Sequence, residues 1–312
     1  MKKYTEINDI SNLSETIKEA IKLKENPFEF SEIGKNKTLV MLFFNSSLRT
    51  RLSTEKAAKN LGMQVMVLNV NDGWNLEFED GTKMNLNTSE HIKEAAAVIS
   101  QYADIIAVRA FPTLLDKQKD ESEFILKSFI KYASVPIVNM ESSTAHPLQA
   151  LADAITVEEL KTKQNPKVVL SWAPHPKALP HAVANSFVKM MQDIVVDFTI
   201  THPEGYELNA KITKDTPINY NQEDALNDAD FVYVKNWSSY NEYGKILLED
   251  SNWMMTQDKL GKAKFMHCLP VRRNVVVEDA VLDHEQSVVI QQANNRTFAA
   301  QIVLKQILEN LK

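Results

Sequence analysis

Short apolar runs alternate along the chain with longer stretches in which apolar residues return every three or four positions. This pattern predicts strands alternating with helices. In the first half the strand runs fall at 38–44, 64–70 (QVMVLNV), 104–110 (DIIAVRA) and 135–140 (VPIVNM). Helical spacing covers 5–24, 47–61, 89–102 and 121–132; in the third of these Ile92, Ala95, Ala96 and Ile99 share a face, and Thr88 or Ser89 is placed to cap it. Residues 71–87 form a polar loop holding Trp74, and 238–252 a mobile polar connection suited to closing over a ligand. A helix over 146–160 opens on His146-Pro147, with proline suited to the first turn. The second half repeats the scheme, with strand runs at 168–172, 194–200, 231–235, 264–268 and 287–291, and a closing helix at 297–311. Apolar strands separated by helices imply parallel sheets covered by helices on both faces. The expected fold is therefore α/β with two domains, 1–146 with 297–312 and 147–296, and the 146–160 helix crossing between them.

Composition narrows the chemistry. The 312 residues are 44% hydrophobic and 24% charged, with 35 Lys+Arg against 41 Asp+Glu and a net charge of -6. An acidic chain without a basic run argues against nucleic acid as a partner. No apolar run approaches a membrane span and the N-terminus carries no signal-like apolar core, so no membrane partner is expected and the cytoplasm is the expected location. The single cysteine, Cys268, excludes a disulfide framework and a multi-cysteine metal site. Only seven glycines are present, at 34, 62, 73, 81, 205, 244 and 261. Neither GxGxxG nor GxxxxGK[ST] can occur, so phosphate must be held by side chains and helix ends.

Polar clusters follow the strands: 45–51, Arg109 to Phe111, 141–149, His175, 235–239 and 267–273. In open α/β sheets, ligands bind beyond the strand C-termini, and an interdomain cleft is the expected result. The first cluster lies in 43–51, FFNSSLRTR. Ser46 or Ser47 stands at the N-cap position of the following helix, and Arg49 and Arg51 fall in its first turn, where cations oppose the helix dipole. Such a start fits an anion that outweighs the repulsion, and a phosphate group would do so. Arg51, two residues on, projects to another face and is expected to support structure.

Ser47-Leu48-Arg49-Thr50-Arg51 resembles the S-x-R-T-R signature of transcarbamylases. His146-Pro147-Leu148-Gln149-Ala150-Leu151-Ala152-Asp153 is similar to the family's HPxQxLxD, and His267-Cys268-Leu269-Pro270, followed by Arg272-Arg273, resembles the ornithine-type branch. Three motifs in family order, with Arg296 beyond, identify the chain as a transcarbamylase-like sequence. The resemblance implies carbamoyl phosphate held by Ser47, Leu48, Arg49, Thr50 and Arg109, with His146, Gln149 and Arg296 at its carbonyl and the backbone of Cys268 and Leu269 near its amide. It implies catalysis by orientation and electrostatics, without metal, nucleotide or covalent nucleophile, in a homotrimer whose active sites are shared through Trp74.

The attacking amine is addressed by a departure. Ornithine transcarbamylases carry an acid in D-x-x-x-S-M-G; here the stretch is Val234-Lys235-Asn236-Trp237-Ser238-Ser239. A free α-ammonium would be repelled by Lys235, an acylated α-nitrogen would not, and Lys235 is then placed to pair with the α-carboxylate. The proline-rich loop 172–180, with His175, resembles the N-acylornithine branch, whose C-terminal domain is knotted. Phe111 and Glu141 would complete the acylornithine pocket. The whole chain is most similar to the N-succinylornithine group, with Arg272 as the cation for the succinyl carboxylate. Glu90 departs from that group and matches the N-acetyl one, so it is expected to shift preference toward acetyl. Carbamoyl transfer to ornithine or another amine, and a non-catalytic anion-binding role, are the alternatives.

Overall fold

A computed structural model describes residues 1–70, 74–248 and 250–311. The chain divides into two compact units, Met1–Leu148 with Arg296–Lys312, and Gln149–Asn295.

The first unit opens with helix α1 (Leu13–Glu25), followed by strand β1 (Thr38–Phe43), helix α2 (Leu48–Asn60) and strand β2 (Gln64–Asn69). Two short strands, β3 (Leu76–Glu77) and β4 (Glu90–His91), pair with each other. Then come α3 (Ile92–Tyr102), β5 (Ile105–Arg109), α4 (Lys117–Glu121), α5 (Phe124–Tyr132), β6 (Ile137–Glu141) and α6 (Pro147–Leu160), which continues into the second unit. The four-stranded sheet is parallel, in the order β2-β1-β5-β6. Strands β5 and β6 are buried along their whole length, because helices cover both faces. One of those layers packs Val40, Leu42, Ile106 and Val108 of the sheet against Ile92, Ala96 and Phe129 of the helices. Each such large side chain contributes roughly 1.5–3 kcal/mol by leaving water.

Helix α2 lies close on its sheet because its buried face is made of small residues, Thr50, Thr54, Ala57 and Ala58. Its end is set by Gly62 at φ +82°. Gly62 N–H donates to the Lys59 carbonyl at 3.0 Å and Met63 N–H to that of Ala58 at 3.0 Å, a Schellman closure.

In the second unit, β7 (Lys167–Trp172), α7 (Ala182–Asp193), β8 (Asp197–Thr201), α8 (Ala210–Thr213), β9 (Ile218–Asn219), α9 (Gln222–Leu226) and β10 (Phe231–Lys235) follow in order. After them come α10 (Gln257–Leu260), β11 (Lys264–Met266), α11 (Asp279–Asp283) and α12 (Val289–Glu309), which returns to the first unit. The five-stranded sheet is parallel, in the order β11-β10-β7-β8-β9. Val169, Val232, Val234 and Phe265 of this sheet pack on Leu260 and Val281.

Several sequence expectations need correction. The run 287–291 is not a strand: Ser287 makes one bridge to Phe265, and Val289 already belongs to the 21-residue α12. A short β-branched run does not distinguish a strand from a buried helix start, and here the burial of Gln292 and Asn295, one helical turn apart, goes with the helix. The helix placed at 89–102 starts at Ile92, capped by His91, whose side chain accepts from Lys93 N–H, not by Thr88 or Ser89. The stretch 121–132 is broken at Glu123, which sits at φ 56°. The stretch 5–24 contributes a single 3-10 turn and α1. Of the two loops, residues 71–73 and 249 lie outside the described residues. Trp237, Ser238 and Ser239, at the start of the second loop, are buried, and Ser238 donates twice to the Leu179 carbonyl, so this part is packed rather than free.

A Cβ at Gly62 would lie 1.9 Å from the Ser31 carbonyl oxygen, in a left-handed conformation that L-residues disfavour. Gly62→Ala is expected to lower stability by at least about 1–2 kcal/mol, read as a reduced urea midpoint. An unchanged midpoint would show that the Ser31 turn moves aside without cost.

Candidate active site

In the first sheet the strand order reverses between β1 and β5, and the ends of those two strands are where an open α/β sheet offers its crevice. The residues there form one charged group. Ser47 is the N-cap of α2, in extended conformation, and its Oγ accepts from Thr50 N–H at 3.2 Å. Arg109, the last residue of β5, donates through Nη1 to Thr50 Oγ1 at 3.0 Å. Arg296 of α12 donates through Nη2 to the same hydroxyl at 2.6 Å. Both guanidiniums are buried and remain charged. The carboxylate in contact with Arg109 is Glu141, at the end of β6, whose Oε2 accepts from Arg109 Nη1 at 2.5 Å and lies 3.3 Å from His146 Nε2. Two buried cations share one hydroxyl, and one acid meets Arg109, beside a helix N-terminus that has no acid in its first turn. Such a group of donors suits an anion.

Arg49, in the first turn of α2, is half-buried, whereas Leu48 points its side chain outward and Arg51 is exposed. Phe111 lies beneath Arg109, 4.5 Å from guanidinium carbon to ring centroid, and its N–H donates to Asn45 Oδ1 at 2.7 Å. Glu141, expected as an acceptor for the acylated substrate, lies against Arg109 and His146. The β6 strand ends at that residue, so its side chain meets the neighbouring β5 end. Trp74 Nε1 donates to Glu90 Oε2 at 2.9 Å. Glu90 lies in β4, ahead of α3, so it is not a first-turn acid complementing a helix dipole.

Sequence reading missed Glu123. Its carboxylate accepts from Ser142 Oγ at 2.8 Å, Thr144 N–H at 2.8 Å and Thr144 Oγ1 at 2.5 Å, which pins the turn leading into His146. No local signal marked it, since it stood inside a stretch with helical spacing.

The second sheet reverses between β10 and β7, and the same rule applies. Lys235 ends β10, is 9% exposed, and pairs in register with Trp172 at the end of β7. Beyond Trp172, the half-buried His175 accepts from Arg272 Nε at Nε2, 3.2 Å away, while Nδ1 lies 2.9 Å from the Lys177 carbonyl. Burial first, and then the positive charges of Lys235, Arg272 and Lys177, hold the His175 pKa below 6.5. Lys177 N–H also lies 3.1 Å from Nδ1, and the neutral ring accepts from Arg272 through Nε2. No described carboxylate pairs with Lys235 or Arg272. The cluster fits a carboxylate ligand.

Also in this unit, Gln149 Nε2 donates to Asp153 Oδ1 at 2.7 Å, and His267 N–H donates to Gln292 Oε1 at 2.9 Å. Leu269 sits at φ 54°, with its N–H on His267 Nδ1 at 2.8 Å. Cys268 is half-buried and forms no disulfide. Among the described residues no group of three or more His, Cys, Asp or Glu could hold a metal ion, and no helix is long and apolar enough to cross a membrane.

The carbamoyl-P binding domain of aspartate/ornithine carbamoyltransferase matches residues 2–159, and the Asp/Orn binding domain matches residues 180–307. The chain is 49% identical over 317 residues to N-succinylornithine carbamoyltransferase of Bacteroides fragilis, covering 100% of both chains. It is 35% identical to N-acetylornithine carbamoyltransferase of Xylella fastidiosa, covering 91% of this chain and 93% of that one. A crystal structure of an N-acetyl-L-ornithine transcarbamylase variant, one glutamate replaced by valine, complexed with carbamyl phosphate and N-succinyl-L-norvaline, superposes with TM-score 0.92 at 34% identity, covering 98% of this chain and 100% of that one.

Because the folded pKa of His175 lies below its unfolded value, the stability it carries as a neutral acceptor is present above about pH 6.5 and is lost as pH falls through the folded value. His175→Gln keeps a polar side chain that does not titrate. Its melting temperature is expected to fall less than the wild type's between about pH 7 and pH 5; parallel losses would remove His175 from the acid response.

Proposed function

The chain belongs to the aspartate/ornithine carbamoyltransferase family, and from that premise we propose that it is an N-acylornithine carbamoyltransferase. It transfers the carbamoyl group of carbamoyl phosphate to the side-chain amine of N-succinyl-L-ornithine or N-acetyl-L-ornithine, giving N-acylcitrulline and phosphate in arginine biosynthesis. The observation that carries the reading is the pair of buried guanidiniums, Arg109 and Arg296, converging on Thr50 at the N-terminus of α2.

The roles follow from the chemistry. The phosphate of the donor sits at Ser47, Leu48, Arg49, Thr50 and Arg109, bound by side chains and by the N–H groups of the helix start. His146, Gln149 and Arg296 serve the carbamoyl group, with the Cys268 and Leu269 backbone beside it. The neutral amine attacks the carbonyl carbon, the carbonyl electron pair moves to oxygen, and the oxyanion is stabilised by the cationic and hydrogen-bonding groups. The pair then returns, the C–O bond to phosphate breaks, and the amine nitrogen loses a proton. Fixed donors in a dry site are sufficient for this.

For the acceptor, Lys235 meets the α-carboxylate, His175 and Arg272 meet the acyl end, and Phe111, Glu90 and Glu141 complete the pocket. A cation at the end of β10 disfavours a free α-ammonium, which separates this chain from carbamoylation of ornithine itself. Arg272 favours the succinyl carboxylate and Glu90 repels it, so Glu90 shifts preference toward acetyl. The Glu-to-Val variant of the relative, complexed with a succinyl compound, supports a glutamate as the selector. The protein works in the cytoplasm as a homotrimer, with Trp74 contributed to a neighbouring copy. Exposed apolar residues on α2 and the β2 edge, Leu48, Leu52, Met66 and Leu68, support such a contact.

Phosphate release should be measured with carbamoyl phosphate and a panel of free and acylated ornithines. Arg49→Ala is expected to abolish turnover, and mixing it with inactive Trp74→Ala should restore part of it; an active Arg49→Ala overturns the donor site, and no complementation counts against shared sites. Glu90→Pro is expected to raise the succinyl-to-acetyl ratio of kcat/KM by about 10-fold or more. An unchanged ratio would sink the selector role.

A further inference from the structure

The carboxylate of Asp153, which closes the HPLQALAD stretch, is fully buried and has no role in the reaction as described so far. Its Oδ1 accepts from Gln149 Nε2 at 2.7 Å and from Gln292 Nε2 at 2.7 Å. A carboxylate accepts only, so both carboxamides must turn their nitrogen ends toward it. Their oxygen ends are thereby assigned. Gln292 Oε1 takes the His267 N–H at 2.9 Å, at the first residue of HCLP. Gln149 Oε1 is buried, and among the described residues no donor reaches it.

A buried carboxamide oxygen without a donor is a place where a ligand N–H is missing. The carbamoyl group carries such an N–H. We propose that Asp153 is the positioning residue of the transfer site. Its carboxylate sets the polarity of two amides at once, so that Gln149 presents an acceptor to the carbamoyl –NH2, and Gln292 ties the HCLP backbone to the same point. Without the carboxylate, either amide can rotate by half a turn about its last bond and offer a donor in place of an acceptor. The two amide N–H groups give the buried Oδ1 its donors. Asp153 touches no substrate; it acts through Gln149 and Gln292. The proposal rests on the carbamoyl-transfer reading above.

The test separates the two. Wild-type enzyme is first assayed for phosphate release from carbamoyl phosphate with the acylornithines; no release overturns the reading and the proposal together. With wild-type turnover established, Asp153→Leu removes the acceptor, and kcat is expected to fall about 100-fold. Binding of inorganic phosphate, which has no amide, should stay within about twofold of wild type. Asp153→Asn keeps one acceptor oxygen and should recover most of the loss. Turnover of a folded Asp153→Leu near the wild-type value overturns the positioning role alone. So does a parallel loss of phosphate binding, which marks a purely structural residue. If Asp153→Leu does not fold, Asp153→Asn and Gln292→Leu decide: each is expected to lose about 3- to 10-fold in kcat with phosphate binding intact, and wild-type kcat in either overturns the proposal.

Discussion

Buried positive charge around one hydroxyl is the constraint on which the first unit depends. Arg109 and Arg296 both donate to Thr50 Oγ1, and Glu141 is the acid bonded to Arg109. Guanidiniums do not deprotonate to escape burial, so the fold must hold them with the groups around them. Thr50 is held in turn by the Ser47 cap of α2, and α2 by the closure at Gly62. Arg296 lies 246 residues from Thr50 in sequence, so the cluster forms only once α12 has come back to the first unit. A helix start, two strand ends and the last helix of the chain are therefore assembled around one group of buried charges.

The second unit uses the same architectural position for a different charge pattern. Lys235 and Arg272 flank a neutral His175, whose ring is kept neutral by burial and by those same cations. A neutral acceptor holds the Arg272 guanidinium in place without cancelling its charge, which leaves it available to a carboxylate. Trp172 and Trp237 fix the strand ends beneath: Trp172 Nε1 donates to the Trp237 carbonyl, and Trp237 Nε1 to that of Tyr206. The strand ends below Lys235 and His175 therefore rest on buried aromatic side chains.

Much of this was legible in the chain. Apolar runs at 38–44 and 231–235, alternating with helical spacing, pointed to strands buried on both faces, and Ser47 before an Arg-bearing helix start pointed to an anion. What misled was short or shared signal. The VVI of 287–291 has strand character by residue type, yet buried Gln292 and Asn295 belong to one face of a helix. The helix expected from residue 89 begins at Ile92 instead, because the spacing of Ile92, Ala95 and Ala96 does not locate the first turn. The contacts of Glu141 with Arg109 and His146 were not legible, because they are reached only through the pairing of β5 and β6.

The sequence by itself determined the class of fold, the two units, the places where strands give way to polar clusters, and the family motifs that imply carbamoyl transfer. These depend on local periodicity, caps and residue type, which act within a few residues of each other. Tertiary structure alone decided which charges meet: Thr50 with Arg109 and Arg296, Glu141 with Arg109 and His146, His175 with Arg272, and Asp153 with Gln149 and Gln292. Those partnerships span up to hundreds of residues, and they are set by sheet order and by the return of α12. A hydrogen bond or ion pair is strong only where burial has removed water from both groups, and burial is a property of the folded chain.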